Sequence, residues 1–475
     1  MSAAIQDHSG GLARKSVTPF EVGAQSVANI APSAVIAFGP GAMAASAGNG
    51  AWFSFAIGTV IILLVAQSIA TIARRRAGAG SLYSLIRPAI GPSGTFVTGW
   101  ALFIGVVGIA AGSLAGAGFF ASRVLEKFGF TAFAGTNGQV VFDLILLIAG
   151  VYVTIASVRT AARVSATLEV ISIVVIVVVL FTVMFKSGNW VDSPQISLSG
   201  AKLDGIVFAI VLAILGFVGF EGAAALGEES DDPFRAIPRA IRGGALFAGI
   251  LYIFATYAQV AAFKGGASAL AKSGSPMDDL ASQYGLSSIQ PLLNLGFAAS
   301  FIAVVMACVT VGARLLFSWG NEGIVPAWFG KAHPKHRTPA NAIYVLIPLV
   351  ALPTVLVLMS GVAPLAATTY IDTVGVFGYM LAYIVVCLGA PLFLKKISAS
   401  GVAGLWVIGI LGALSLAYVF YRNVIPVPPY PLNTLPYYFM GFMVLGLVGF
   451  AVVKVRKPAA AELAGTFADD APVGR

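Results

Sequence analysis

The chain has 475 residues, of which 58% are hydrophobic and only 10% are charged, and its formal net charge is +9. Soluble globular proteins carry about 25% charged residues, so this composition excludes an ordinary soluble domain and indicates a protein that lies in a lipid bilayer. Cys308 and Cys387 each lie in an apolar run, which excludes a disulfide framework. The three histidines all lie outside the apolar runs, and we expect no metal site and no cofactor.

Twelve apolar runs are long enough to cross a bilayer as helices, which takes about 20 residues each. They are predicted at residues 24–48, 51–73, 94–120, 140–158, 164–185, 203–226, 243–263, 290–318, 341–360, 368–394, 401–421 and 434–453. The loops between them are short, so no segment is expected to fold as a separate catalytic domain.

The basic residues are distributed unequally between the two sides that these spans define. Three quarters of the 28 Lys and Arg residues lie in the tails and in the loops on the same side as the tails. Because short loops rich in Lys and Arg stay in the cytoplasm, both termini are predicted to be cytoplasmic, in a multi-pass protein of the cell membrane. The excess of positive charge is therefore explained by the orientation of the protein in the membrane. Membrane lipid is an expected partner and nucleic acid is not.

The first span is interrupted by the segment Ala28-Asn29-Ile30-Ala31-Pro32-Ser33. Pro32 has no backbone N–H and clashes with the preceding turn, so the helix is predicted to break here. The carbonyls near Ala28 and Asn29 then lose their partners. In hydrocarbon such groups must be satisfied by protein, water or a ligand.

The sixth span carries a second interruption. Glycines at 216, 219 and 222 weaken the helix, and Glu221 places an ionisable group at membrane depth. Each break falls in the first helix of a five-helix half, and paired breaks of this kind are typical of transporter binding sites. The free amides of one break suit a carboxylate and the free carbonyls of the other suit an ammonium, as in a zwitterion. The alternative is that Pro and Gly merely kink these helices.

Three groups of residues resemble the amino acid–polyamine–organocation (APC) permeases. The sixth-helix signature of that family is similar to Gly219-Phe220-Glu221, Leu226-Gly227-Glu228-Glu229-Ser230 and Pro233-Phe234-Arg235-Ala236-Ile237-Pro238-Arg239-Ala240-Ile241. The other two groups are Gly80-Ser81-Leu82-Tyr83 with Gly91-Pro92 and Gly99-Trp100, and Asn321-Glu322-Gly323-Ile324-Val325-Pro326 with Thr338-Pro339. The resemblance runs from about residue 20 to residue 455.

The resemblance implies an all-α membrane protein of about twelve transmembrane helices with the LeuT-like fold. In that fold a 5+5 inverted repeat is followed by two C-terminal helices. The chain would then divide into a cytoplasmic N-terminal tail, a ten-helix transport core, two additional helices and a C-terminal tail, at residues 1–23, 24–394, 395–455 and 456–475. The last part is Ala-rich and acidic and is expected to be disordered.

The resemblance also implies the substrate contacts. In the first break they are Ile30, Ala31, Pro32 and Ser33, in the second Leu215, Gly216, Phe217, Val218 and Gly219, and in the neighbouring wall Ile104, Val107 and Phe297. The Ser33 hydroxyl is expected to donate to a substrate carboxylate or, alternatively, to bond back to its own helix. The Phe217 ring either closes over the substrate or packs as an ordinary core residue.

Further residues are candidates for coupling and gating. Glu221 either takes up a proton or bonds to backbone amides. Some relatives place a lysine in the fifth helix, where this chain has Ser172, with Glu169 one turn earlier on the same face. Ser172 is a weak candidate ligand for sodium. Glu228 and Arg235, after the sixth helix, form either an inner gate or a solvated charge cluster.

These observations predict a secondary active transporter that moves a small amino acid by alternating access, either coupled to protons or exchanging substrates. The alternative is a polyamine or amino-alcohol permease in which Glu221 pairs with a second ammonium. An enzyme is not expected, because no Cys/His or His/Glu pair lies at membrane depth. A channel would need a repeated filter or rings of charge, and the sequence has neither.

Overall fold

The computed structural model describes residues 17–77, 80–227, 229–425, 427 and 430–467, and within them the chain is helical and without strands. Its α-helices, in chain order, are α1 Pro19–Ile30, α2 Pro32–Ala47, α3 Ala51–Ala73, α4 Leu82–Lys127, α5 Thr136–Ala156, α6 Val158–Ser187, α7 Ser193–Ile196, α8 Leu203–Leu215, α9 Pro233–Ala262, α10 Gly266–Leu270, α11 Pro276–Gln283, α12 Gln290–Asn321, α13 Ala340–Met359, α14 Pro364–Lys396, α15 Val402–Arg422, α16 Leu435–Arg456 and α17 Pro458–Glu462. Short 3-10 helices lie at Gly48–Gly50, Thr131–Phe133, Phe220–Leu226, Ser287–Ile289 and Leu432–Thr434.

Eleven helical stretches in the described part of the chain are long and apolar enough to cross a membrane. The first, Pro19–Ala73, is 55 residues long and contains two of the predicted spans. The other ten predicted spans each overlap one of the other ten stretches. The prediction of an all-helical membrane protein is confirmed, and the inverted repeat stays a prediction.

The centre of the molecule is built along α4, which packs against α14 and α12. A Cβ added to Gly108 of α4 would lie 2.7 Å from the Cα of Gly375, and one added to Gly378 would lie 2.3 Å from the Ala101 carbonyl. Only glycine lets the backbones of α4 and α14 come so close. Close packing of small residues is how membrane helices associate without a hydrophobic drive.

The expectation of a disordered C-terminal tail is wrong for residues 458–467. The Gly465 N–H donates to the Tyr83 hydroxyl at 2.8 Å and to Glu322 Oε1 at 2.9 Å, and the Phe467 N–H donates to the same oxygen at 3.1 Å. The tail's own composition carries no sign of this order, because the acceptors lie on α4 and just after α12. The residues after Phe467 lie outside the described part.

Candidate functional site

The first break separates α1 from α2 at Ala31, whose backbone is left-handed with φ 49° and ψ 64°. Pro32 begins α2 and donates no hydrogen bond to the preceding turn. The break predicted from Pro32 is therefore present. All of residues 28–34 are buried, so the break lies inside the protein and is not exposed at its surface.

The free amides at the beginning of α2 are bound to side chains from two other helices. The Ser33 N–H donates to Glu169 Oε1 of α6 at 2.9 Å. The Ala34 N–H donates to the Ser300 hydroxyl of α12 at 3.2 Å. The sequence predicted free amides at one of the two breaks, and at this break the structure gives both amides protein partners.

The carbonyls at the end of α1, in contrast to these amides, have lost their helical partners. In a continuous helix the carbonyls of residues 28–30 would accept from the amides of residues 32–34. Residue 32 is proline, and the other two amides donate to side chains. The first break therefore presents three carbonyl acceptors without helical partners, which suit a cation.

The second break lies between the end of α8 and the 3-10 helix Phe220–Leu226. Gly219 has a φ of 96°, in the left-handed region that favours glycine. The Tyr252 hydroxyl donates to the Gly216 carbonyl at 2.8 Å, and the Gly219 N–H donates to the Tyr383 hydroxyl at 3.1 Å. The backbone groups freed at this break are thus held by two tyrosines.

The two breaks meet and form one polar centre. Asn29 Nδ2 donates to the Gly219 carbonyl at 2.8 Å, and the Ser26 hydroxyl donates to the Phe220 carbonyl at 2.6 Å. A Cβ added to Gly222 would lie 2.6 Å from Asn29 Nδ2, so this contact needs glycine on the second break. The sequence placed the breaks at matching positions, and the structure joins them.

Three side chains at this centre keep polar atoms without a hydrogen bond. They are Glu169 through Oε2, Glu221 through Oε1 and Ser33 through its hydroxyl, and none is more than 1% exposed. The other carboxyl oxygen of Glu221 accepts from Tyr383. A buried polar atom without a partner is costly, so each of these atoms favours a further partner, either water or a polar ligand.

Of the predicted apolar contacts, Phe217 is fully buried in an aromatic cluster. Its ring lies edge to face with those of Phe55 and Tyr252, at centroid distances of 6.5 and 5.2 Å. Val218 is buried beside it and Leu215 is half-buried. The predicted role of Phe217 over a substrate stays a prediction; in this state the ring is a packed part of the second break.

The remaining wall residues lie on two other helices. Ile104 is buried and Val107 is half-buried on α4. Phe297 of α12 packs edge to face on Phe120 at 5.1 Å, and Phe120 stacks on Phe301, which in turn stacks on a phenylalanine of α2. An aromatic column therefore connects Phe297 to the helix that follows the first break.

Ser172, the candidate sodium ligand, uses its hydroxyl to tie α6 to α12. The hydroxyl donates to the carbonyls of Leu168 and Gly296 at 2.8 and 2.9 Å. Within the described ranges, no three side chains of His, Cys, Asp or Glu are placed to hold a metal ion together. Ligation of sodium by Ser172 stays a prediction.

The charged turn after the sixth span divides into an exposed part and a buried part. The Arg235 side chain is 76% exposed and pairs with Asp232 at 4.0 Å, a distance at which an exposed pair contributes little. Glu228 lies outside the described residues. The buried ion pair on this side is instead Arg314 with Glu229, at 2.5 Å and with both side chains only 1% exposed, and the sequence analysis did not predict it.

A second ion cluster lies on the same side of the polar centre. Glu21 of α1 accepts from Arg159 at 2.9 Å and from Arg163 at 2.5 Å, both on α6. The Val17 N–H donates to the Glu229 carbonyl at 3.0 Å. The start of α1 is thus fixed both to α6 and to the segment after the second break.

A polar network around Asp278 of α11 lies on the opposite side of the polar centre. This carboxylate pairs with Arg123 at the end of α4 at 3.3 Å and accepts from Asn294 of α12 at 3.0 Å and from Ser275 at 2.9 Å. Burial raises the pKa of Asp278, although Ser275 and Arg123 act to lower it. One carboxylate therefore links three elements on this side.

The sequence matches the family model for amino acid permeases over residues 21–458. It is 28% identical over 329 residues to the branched-chain amino acid permease BcaP of Lactococcus lactis subsp. cremoris, covering 65% of this chain and 68% of the relative. It is 25% identical over 345 residues to BcaP of Bacillus subtilis, covering 68% and 72%. With the low-affinity putrescine importer PlaP of Escherichia coli it shares 26% identity over 324 residues, covering 63% of this chain and 65% of the relative. These relatives are transporters and not enzymes.

Proposed function

Because the chain belongs to the amino acid permease family of the APC superfamily, we propose that it is a secondary active transporter that carries a small amino acid across the cell membrane. The observation that supports this most is the polar centre, where Asn29 of one break donates to Gly219 of the other. Carbonyls, carboxylates and a serine hydroxyl meet there within apolar helices. A zwitterion needs this combination of groups at membrane depth.

Transport by alternating access requires a closure on each side of the site, opened in turn. The Arg314–Glu229 pair and the Asp278–Arg123 pair have the right placement, one on each side of the polar centre. The distribution of Lys and Arg supports an orientation in which the first pair is the inner closure and both termini are cytoplasmic.

The substrate is proposed to be small and aliphatic. Leu215, Phe217 and Val218 line the second break with apolar surface, and a pocket with few polar groups favours an apolar side chain. The two BcaP relatives are described as branched-chain amino acid permeases, which agrees with this choice. Transport is proposed to be coupled to protons or to run as exchange.

A primary amine or polyamine is the second candidate substrate. The polar centre holds a carboxyl oxygen of Glu169 and one of Glu221 that have no hydrogen bond, together with the α1 carbonyls that have no helical partner. Such a site favours a cation, and one relative is described as a putrescine importer. In this case Glu221 would pair with an ammonium group of the substrate.

Purified protein tested by thermal shift against alanine, leucine, isoleucine, valine and putrescine decides whether a ligand binds. A ligand present at 100 times its Kd stabilises the folded state by about 2.7 kcal/mol, which raises Tm measurably. Uptake of the radiolabelled ligand into proteoliposomes should then saturate with concentration. Uptake that rises linearly without saturation would indicate a pore and contradict the proposal.

Glu221→Gln separates the two candidate substrates. The glutamine side chain keeps an oxygen that accepts from Tyr383 but removes the negative charge. Uptake of aliphatic amino acids should persist in this variant, while uptake of putrescine, if putrescine is the substrate, should collapse. Glu126→Gln is the matched control, because Glu126 is exposed at the end of α4.

A further inference from the structure

Glu169 lies where a ligand of the first break would be expected. Its carboxylate comes from α6, is 1% exposed, and accepts from the first amide that α2 can donate, that of Ser33. The N-terminus of a helix is a favourable place for an anion, because its amides point outwards and its dipole is positive there. The protein thus fills with its own carboxylate a place suited to the carboxylate of an amino acid.

A second feature indicates that another ligand also fits this place. The Ser33 hydroxyl is fully buried beside the Glu169 carboxyl and completes no hydrogen bond of regular geometry, although the amide of the same residue is bound to Glu169. The next amide, that of Ala34, is held by Ser300. An incoming carboxylate therefore finds a ready hydroxyl donor but no open amide, unless Glu169 leaves.

We propose that the Glu169 carboxylate is an internal substitute for the substrate carboxylate, displaced from the Ser33 amide when an amino acid binds and leaving as the protonated acid. This inference rests on the proposed function and names the group that couples it to protons. The proton comes from water on the side to which the site is open and binds a carboxyl oxygen of Glu169. No covalent bond of the substrate changes.

The surroundings of Glu169 explain why a proton must accompany the exchange. Ser33 of α2 and Ser300 of α12 lie beside the carboxyl, and Tyr252 of α9 is the titratable side chain near enough to interact with it electrostatically. No ion pair with a cation is present for Glu169 in the described ranges. A buried carboxylate that has lost its donor is far more costly than a neutral acid, so release without protonation is unfavourable.

The stoichiometry follows from this exchange. One carboxylate replaces another at the Ser33 amide, and one proton is taken up for each amino acid bound. When the substrate leaves on the other side, Glu169 returns to the amide and releases its proton there. Transport of a zwitterion would then carry one positive charge per cycle.

The number of protons bound with each substrate tests the proposal directly. Calorimetric titration of the purified protein with alanine, in two buffers of different ionisation enthalpy, should give about one proton taken up per alanine in the wild type and none in Glu169→Gln. As the pH rises, the affinity of the wild type for alanine should fall by up to tenfold per pH unit, because binding takes up a proton. The affinity of Glu169→Gln should not change with pH. Glu126→Gln should behave as the wild type. Proton uptake that persists in Glu169→Gln would overturn the proposal.

A second arm works without any amino acid. In Glu169→Ala the Ser33 amide loses its partner, so propionate should bind this variant and raise its Tm, while the wild type should not respond. If the wild type binds no amino acid but propionate binds Glu169→Ala, the proposed function fails and the internal-substitute idea stands. If alanine binds the wild type but propionate has no effect on Glu169→Ala, the proposed function stands and the internal-substitute proposal fails. Should Glu169→Ala not fold, the proton count in Glu169→Gln decides.

Discussion

Both breaks leave backbone groups without helical partners, and different kinds of side chain bind those groups at the two breaks. At the first break the left-handed residue is Ala31, and the nearby amides are held by a carboxylate and a serine from other helices. At the second break the left-handed residue is Gly219, held by the neutral hydroxyl of Tyr383 and by Asn29. The backbone of the first break is held directly by a group that can change its charge, whereas the backbone of the second is held by neutral side chains and by the conformation of glycine. This difference suggests that ligand exchange occurs at the first break while the second maintains the geometry.

Of the substitutions that distinguish the two breaks, Gly219→Ala is expected to cause the largest loss of stability. A Cβ at this position would lie 2.7 Å from Asn29 Nδ2 and 2.8 Å from the Asn29 carbonyl oxygen, and the φ of 96° is unfavourable for alanine. Left-handed strain of about 1–2 kcal/mol and overpacking of about 1–3 kcal/mol together predict a destabilisation of roughly 2–5 kcal/mol. Tm measured by thermal unfolding should fall, and uptake should drop to background.

Gly23→Ala is the control for that substitution. Gly23 lies inside α1, and a Cβ there meets no atom within 4 Å. Alanine is favoured over glycine in a helix by roughly 0.5–1 kcal/mol, so this variant should be as stable as the wild type or slightly more stable. If both variants lost stability equally, the special geometry at Gly219 would not be the cause.

The sequence predicted the helices and the positions of both breaks, because proline and clustered glycines act locally on the backbone. It did not predict that Glu169 occupies the Ser33 amide, since that contact joins residues 136 positions apart. The sequence analysis also did not single out Arg314, although an arginine inside the predicted span 290–318 is itself a sign of a buried partner. The order of residues 458–467 was beyond prediction, because it depends on Glu322 and not on the tail.

The next largest effect is expected for Tyr383→Phe, which removes two hydrogen bonds at the second break. The hydroxyl accepts from the Gly219 amide and donates to Glu221. Leaving a buried group without its partner costs about 1–3 kcal/mol, so Tm should fall, though less than in Gly219→Ala. The matched control is Tyr379→Phe on the same helix. The Tyr379 hydroxyl touches the thiol of Cys308 and makes no bond to oxygen or nitrogen in the described residues, so this change should be nearly neutral.

Ser300→Ala tests the first break in the same way. The Ala34 amide would lose its partner, which costs about 1–3 kcal/mol if nothing replaces it. Tyr383→Phe removes two hydrogen bonds, whereas Ser300→Ala removes the one partner of the Ala34 amide and a neighbour of the Glu169 carboxyl. The loss of stability should therefore be smaller than in Tyr383→Phe. Thermal unfolding of the two variants in the same detergent compares them. A larger loss in Ser300→Ala would mean that the first break, and not the second, maintains the geometry.

The smallest effect is expected for Ala31→Gly, the reverse of the substitution at Gly219. Glycine relieves left-handed strain of about 1–2 kcal/mol and the restriction that Pro32 imposes on the residue before it. Against this, the variant loses a buried methyl group, worth about 0.8 kcal/mol, and gains entropy in the unfolded chain worth about 0.5–1 kcal/mol. These contributions nearly cancel, so Tm should stay within about 2 °C of the wild type. If Ala31→Gly were as damaging as Gly219→Ala, the methyl group of Ala31 would be essential to the packing of the first break, and that break would depend on shape as much as the second.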